Sequence, residues 1–381
     1  MKNGSNHRAI TGLLLVVFVG AVVAADVLTD DKSFSEEENR VLEERPDFSL
    51  NSLVEGEFVS EYEQYTSDQF AFRNAWIGVK TDADRALGKK ESNGVFLGEN
   101  GHLMEHYTSP SEAVMQERVQ AIQTFHEATS DLPMYVMVAP TIAGVLPNKL
   151  PAFAPIGDQQ NDLIRLRQRL PEEIRFVDVF NALAGKQEEL MYYKTDHHWT
   201  TTGAYYAYRA LCLEMGIVPQ DKTSFDILQA TDEFYGSLYS KSGFRHLEPD
   251  NIHLYLPKKQ STIKVNYVEE GRVSDSLYEP DHLRTKDKYA VFLDGNHPLV
   301  RITTDSPEDK KILVIKDSYA NSLLPFLTEH FSEINVVDPR YYDKSLLALI
   351  EERQIDSTLF LYNMKTFFED SSIMNITEGL Q

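Results

Sequence analysis

Lys311-Ile312-Leu313-Val314-Ile315 gives way without a spacer to Lys316-Asp317-Ser318-Tyr319-Ala320-Asn321-Ser322-Leu323-Leu324-Pro325. The apolar run reads as a strand, the polar residues after it as a turn, and 321–330 as a helix. The rhythm continues downstream with a strand over 334–337, a helix over 344–353 and a strand over 358–362. It is also present upstream, where a helix over 111–129 precedes a strand over 134–140, a helix over 158–170 and a strand over 174–179. Such alternation predicts an α/β fold, a parallel sheet flanked by helices on both faces.

Around this framework the sequence changes character. Gly94-Val95-Phe96-Leu97-Gly98 and Gly101-His102-Leu103-Met104 flank Glu99-Asn100, which predicts a short hairpin. Residues 224–297 are rich in Gly, Tyr, Asp and Lys and contain short alternating stretches such as Ile252-His253-Leu254-Tyr255-Leu256, as expected of an irregular β-rich insertion. With 381 residues and 42% hydrophobic content the chain can fill a proper core. The domain layout expected is an apolar N-terminal segment over 1–25, an acidic linker over 26–46, amphipathic helices over 47–92 packing on the body, and the α/β domain over 93–381. In the 47–92 segment Phe58, Tyr62, Tyr65, Phe70, Phe72 and Trp76 are expected to face the core.

Ser318 stands where the chemistry of this fold class gathers. Ligands bind beyond the carboxyl ends of the strands in open α/β sheets, and a helix start there offers unpaired N–H groups to a developing oxyanion. A serine hydroxyl is a weak nucleophile until a neighbouring base takes its proton. Serine is equally a favoured N-cap, so position alone leaves capping open.

A base is available in Lys194-Thr195-Asp196-His197-His198-Trp199-Thr200-Thr201-Thr202-Gly203-Ala204. Thr200 to Thr202 are N-cap candidates for a helix running to Met215, which puts Asp196 and His198 just ahead of a helix start. In extended backbone, residues two apart point the same way, so Asp196 can fix the tautomer of His198 while His197 points oppositely. A structural Asp–His pair has the same spacing. A metal site is the minor reading, because adjacent histidines do not easily face one ion and no third ligand cluster is evident.

Lys2 and Arg8 precede an apolar run over 9–25, followed by Asp26, Asp30 and Asp31, a charge order that directs the body outward from a membrane. The run is a signal anchor, or a signal peptide if Val23-Ala24-Ala25 is a processing site. With 59 acidic against 37 basic side chains the net charge is −22, and no basic cluster offsets it, which argues against a nucleic-acid partner. Cys212, the sole cysteine, sits among Ala210, Leu211 and Leu213 and reads as buried.

The string Thr195-Asp196-His197-His198-Trp199-Thr200 resembles the signature of the bacterial DHHW family, which is similar to SGNH hydrolases and to the alginate O-acetyltransferases. Further matches are Phe34-Ser35-Glu36-Glu37-Glu38-Asn39-Arg40-Val41-Leu42, Asp68-Gln69-Phe70-Ala71-Phe72-Arg73, the Gly94–Gly98 stretch, 294–298 and Asp317-Ser318-Tyr319. The resemblance implies an SGNH-like sheet with the motifs in circularly rearranged order, Ser318 as nucleophile, His198 as base and Asp196 as its orienter. It also implies Arg340 beside the triad, Asn296 as an oxyanion donor by analogy with the SGNH asparagine, and Tyr319 as a further oxyanion or substrate contact. Lys316 departs from the Gly of the usual Gly-Asp-Ser. The activity implied is O-acetyl transfer to a cell-surface polysaccharide, without cofactor or metal, beside a multispanning membrane acyltransferase that supplies the acetyl group. An esterase with the same triad, or a non-catalytic glycan-binding scaffold, are the other readings.

Overall fold

The structure is a computed structural model that describes residues 3–35, 40–186, 189–259 and 261–377. Lys2, the side chain of Arg8, and Glu36 to Asn39 lie outside the described residues. The chain divides into two compact units, residues 1–89 with 243–245, and residues 90–242 with 246–381.

In the first unit the apolar segment forms one helix, Asn3–Leu28, whose stretch Ile10–Leu28 has a mean hydropathy of 2.5 and is long and apolar enough to cross a membrane. Three helices follow, Leu50–Glu55, Glu57–Gln69 and Arg73–Ala86. Their aromatics are not the core residues the spacing predicts. Tyr62, Phe70, Phe72 and Trp76 are exposed, and Phe58 and Tyr65 are half-buried. The rings pack on one another along a helix face instead, Phe58 on Tyr62 at 5.7 Å and Tyr62 on Tyr65 at 5.8 Å, since side chains three and four apart meet there.

The second unit is built on eight strands: β1 Met134–Ala139, β2 Arg175–Phe176, β3 Ile263–Tyr267, β4 Arg272–Ser274, β5 Leu299–Thr304, β6 Lys311–Lys316, β7 Glu333–Val337 and β8 Ser357–Asn363. They form one sheet in the order β4-β3-β5-β7-β6-β8-β1-β2. From β7 to β2 every pairing is parallel, with Ile315 of β6 beside Val337 of β7 and Phe360 of β8. Residues Ile312 to Ile315 of β6 are all apolar because both faces are covered. Ile312 and Val314 join a core with Ala204, Tyr208 and Leu211 of helix Thr201–Met215. Leu313 and Ile315 join the opposite core, with Ile122 and Phe125 of helix Glu112–Ala128 and Leu346 and Leu349 of helix Leu346–Arg353.

Three features differ from the sequence reading. The sheet is mixed, because β5, β3 and β4 extend it by successive antiparallel pairings. The expected insertion is therefore only partly separate: Phe225–Phe234 and Asp250–Pro257 pair with each other, whereas β3 buries Val265 and Tyr267 in the sheet. Alternation marks a half-buried strand without naming its partner. The strand expected over 174–179 stops at Phe176, because Asp178 caps a short helix, Val179–Ala184. The helix expected over 321–330 is a 3-10 turn, Ser318–Ser322, and one α turn, Leu324–Leu327, with Pro325 in its first turn. The hairpin forms as expected, Val95–Leu97 against Leu103–Glu105.

Candidate active site

The loop before helix Thr201–Met215 and the turn after β6 meet at the carboxyl edge of the sheet. Thr200 caps the helix, its hydroxyl accepting from the Gly203 N–H at 3.2 Å. An antiparallel bridge between Tyr192 and Trp199 pinches the loop shut at its base. The Asp250 carboxylate holds its shoulder, accepting from the Lys194 N–H at 2.9 Å and from the Thr195 N–H and hydroxyl at 2.7 Å each. The fully buried Trp199 ties loop to turn, its indole N–H donating to the Tyr319 carbonyl and the Ser322 hydroxyl at 3.0 Å each.

After β6 the capping residue is Asp317, not Ser318. Its carboxylate accepts from the Tyr319 N–H at 2.9 Å and from the Asn363 backbone and side-chain N–H groups at 2.8 and 2.6 Å. Ser318 is thus relieved of capping and remains partly exposed. Its Oγ lies 2.7 Å from His198 Nε2, and His198 Nδ1 lies 2.5 Å from Asp196 Oδ1.

The pair Asp196–His198 does not arise by extended alternation. The backbone from Lys194 to His198 is bent, and Asp196 Oδ1 accepts from the His198 backbone N–H at 2.9 Å as well as facing its ring. Because of that bend His197 does not point oppositely. Its ring lies on that of His198 with centroids 3.8 Å apart, and its Nδ1 is 2.6 Å from Ser237 Oγ. Asp196 Oδ2 accepts from the Ser237 N–H at 2.7 Å.

Electrostatics suit a neutral base beside an anion. Burial and the neighbouring His197 push the His198 imidazole down to about 4, against the pull of Asp196. Burial alone would raise the Asp196 carboxyl, but the two imidazoles and the Ser237 N–H outweigh it and hold it well below the usual carboxylate range. At neutral pH the arrangement therefore has a proton-accepting nitrogen at the serine and a carboxylate behind it. Asp196, His197 and His198 also bring potential metal-ligand atoms within 4.8 Å of one another. Both His198 nitrogens are engaged by Asp196 and Ser318, and His197 Nδ1 by Ser237.

The remaining candidates are placed as follows. Tyr319 is fully buried and its hydroxyl donates to the His197 carbonyl, so its side chain braces the loop and is not offered to a substrate. Arg340 grips Asp338 with two hydrogen bonds, Nε at 2.8 Å and a terminal nitrogen at 2.6 Å, and this pairing outweighs burial to raise its pKa. It still lines a cleft of about 630 Å³ together with His197, Ser237, Lys241, Asn363 and Lys365. Asn296 is exposed, and its Oδ1 accepts from Lys316 Nζ at 2.6 Å and Asn321 Nδ2 at 3.3 Å.

Residues 79–337 match the sequence profile of the family described as DHHW protein. The chain belongs to the DHHW family. Among solved structures it is similar to a DHHW family protein from Eubacterium siraeum, with 24% identity and a TM-score of 0.67 over 75% of this chain and 95% of that one. It is also similar to Bacillus cereus PatB1 with a sulfonyl adduct, with 19% identity and a TM-score of 0.62 over 74% of this chain and 97% of that one. The O-acetyltransferase domain of Pseudomonas putida AlgJ matches at 16% identity and a TM-score of 0.44 over 73% of this chain and 93% of that one. No curated protein matches the sequence. The first two of these likenesses extend to the fold, a large central sheet flanked by helices.

Four residues of the site carry no motif in the sequence. Tyr289 lies flat on the His198 ring, with centroids 3.7 Å apart and planes 8° from parallel. Ser237 and Asp250 hold the loop from afar, and Gly236 lies so close that a Cβ there would come within 2.2 Å of the Asp196 Cβ. The only trace any of them leaves in the sequence is the Gly236-Ser237 pair, which resembles a turn and nothing more.

Proposed function

We propose that this chain is an extracytoplasmic serine O-acyltransferase, O-acetyl in its chemistry, that modifies a cell-surface polysaccharide. The observation that carries the reading is the 2.7 Å approach of His198 Nε2 to Ser318 Oγ, with Asp196 on the other imidazole nitrogen. Ser318 Oγ attacks the acyl carbonyl carbon as its proton passes to His198, and the tetrahedral oxyanion forms at the start of the Ser318–Ser322 turn. The Tyr319 N–H is taken by Asp317, which leaves the Ser318 N–H for the oxyanion, with Asn296 as second donor. Collapse breaks the donor C–O bond, and the departing oxygen takes the proton from His198. A sugar hydroxyl then attacks acyl-Ser318, gives its proton to His198, and the proton returns to the serine oxygen.

Water in place of the sugar makes the same triad an esterase. Transfer is favoured by the polar cleft beside His197, whose lining suits a hydroxyl-rich acceptor, and by helix Asn3–Leu28, which would hold the protein near a membrane-borne acyl donor. Labelling of the full-length protein by a fluorophosphonate, with Ser318→Ala and His198→Ala as controls, tests the nucleophile. Incubation with an acetyl ester and candidate glycans then separates acetylated glycan from free acetate. A protein that is not labelled, and whose Ser318→Ala variant keeps its cellular function, is a scaffold.

A further inference from the structure

Lys316 is a buried lysine two residues before the serine, at a position where charge is expensive. Its ammonium donates to Asn296 Oδ1 at 2.6 Å and lies 3.5 Å from Asp338 Oδ2, itself fully buried and gripped by Arg340. The turn carrying Asn296 is held just as firmly. Leu293, Asp294 and Gly295 follow one another with φ of 60°, 58° and 88°, a left-handed run that a leucine and an aspartate adopt only under constraint. Arg272 and His282 both bond the Asp294 carboxylate, and Asn321 Nδ2 donates to the Gly295 carbonyl at 2.9 Å.

An asparagine amide has one accepting and one donating end, and an ammonium can only donate. Lys316, seconded by Asn321, therefore takes the oxygen of Asn296 and leaves its NH2 as the end that can donate. We propose that Lys316 is a positioning residue that locks the Asn296 amide with its NH2 toward an oxyanion at Ser318. The inference rests on the acyl-enzyme reading above and adds to it a role for the lysine that stands in place of glycine before the Asp-Ser pair. A free lysine amine accepts as well as donates, so once deprotonated Lys316 no longer dictates which end of the Asn296 amide faces it. The charged groups facing it are Asp338 and Asp317, which favour its proton, and Arg340, which opposes it, while burial dominates and brings it down to about 8. Its charge in turn contributes to the lowered pKa of His198.

The test uses the full-length protein in detergent with 4-nitrophenyl acetate as acyl donor. Asn296→Ala is expected to lower kcat by roughly 10- to 100-fold, as for loss of one oxyanion donor. Lys316→Met, which removes the charge but keeps the length and leaves Asp338 with Arg340, is expected to fall by a similar factor. The double variant should be no slower than Asn296→Ala alone, because both changes remove the same interaction. The wild-type rate should decline above about pH 8, a limb absent from Asn296→Ala. Additive losses, a full rate in Lys316→Met, or an alkaline limb that persists in Asn296→Ala would each overturn the proposal. The pH comparison needs no Lys316 variant to fold. Absence of Ser318-dependent labelling in the wild type would instead remove the acyl-enzyme reading itself.

Discussion

Tyr289 and His198 are stacked face to face, with ring centroids 3.7 Å apart and planes inclined by 8°. The Tyr289 hydroxyl donates to Ser322 Oγ at 3.1 Å, so the ring is fixed from the serine side while it covers the imidazole. Tyr289 thus shields the imidazole from water and restrains its rotation away from Ser318. Tyr289→Leu is expected to return the His198 pKa toward its ordinary 6.5, so that phosphonate labelling fails at a higher pH than in the wild type. Tyr289→Phe keeps the stack and should leave that limb in place.

The wild-type labelling rate itself should stay level down to about pH 5, because the His198 imidazole is neutral until its pKa of about 4. A limb at 6.5 in the pH profile of fluorophosphonate labelling would mean that His198 is not desolvated.

Stability follows the same shift with a definite sign. His198 titrates at about 4 folded and at about 6.5 unfolded, so between these values the unfolded chain binds more protons and stability rises with pH. The contribution is present above pH 6.5 and lost as pH falls toward 4. Urea midpoints measured across that window should have a shallower pH slope in His198→Gln than in the wild type.

Gly236 leaves no room for a side chain, since a Cβ would approach the Asp196 Cβ and Oδ2 to 2.2 and 2.4 Å. Gly236→Ala is expected to cost about 1–3 kcal/mol of stability through overpacking and to displace the carboxylate from His198. Thermal melts and labelling rates should fall together. Asp196→Asn, which keeps the volume, should lower the labelling rate by roughly 10³-fold or more with a smaller effect on melting.

Asp317 gathers three N–H donors in a fully buried position. Asp317→Ala orphans them and is expected to destabilise by about 3–5 kcal/mol, read as a shift in the urea midpoint. Here stability, rather than the pH profile of any surviving activity, should change most.

Much of this site can be read from the residues because its parts are local. An apolar run followed by Asp317-Ser318 announces a strand edge and a turn, and the threonines at 200–202 announce a helix start. Two particulars depended on atoms rather than pattern. Whether Asp317 or Ser318 caps the turn is decided by a hydrogen bond to Tyr319, and where His197 points is decided by a bend that pairs Asp196 with the His198 N–H. Tyr289, Ser237 and Asp250 reach the site from separate segments, and one sequence holds no sign of such meetings. The antiparallel wing escaped for a related reason. Residues 263–267 alternate like any half-buried strand, and only tertiary pairing shows that they extend the main sheet.

Strand β8 lies between β6 and β1 in the sheet order, and it is the last of the eight to be synthesised. Until residues 357–363 leave the ribosome, the nascent chain can assemble two separate half-sheets but not the seam that joins them. A premature stop before this keystone, well past every residue of the Ser-His-Asp constellation, should therefore yield a polypeptide that is cleared by proteolysis and not merely slowed.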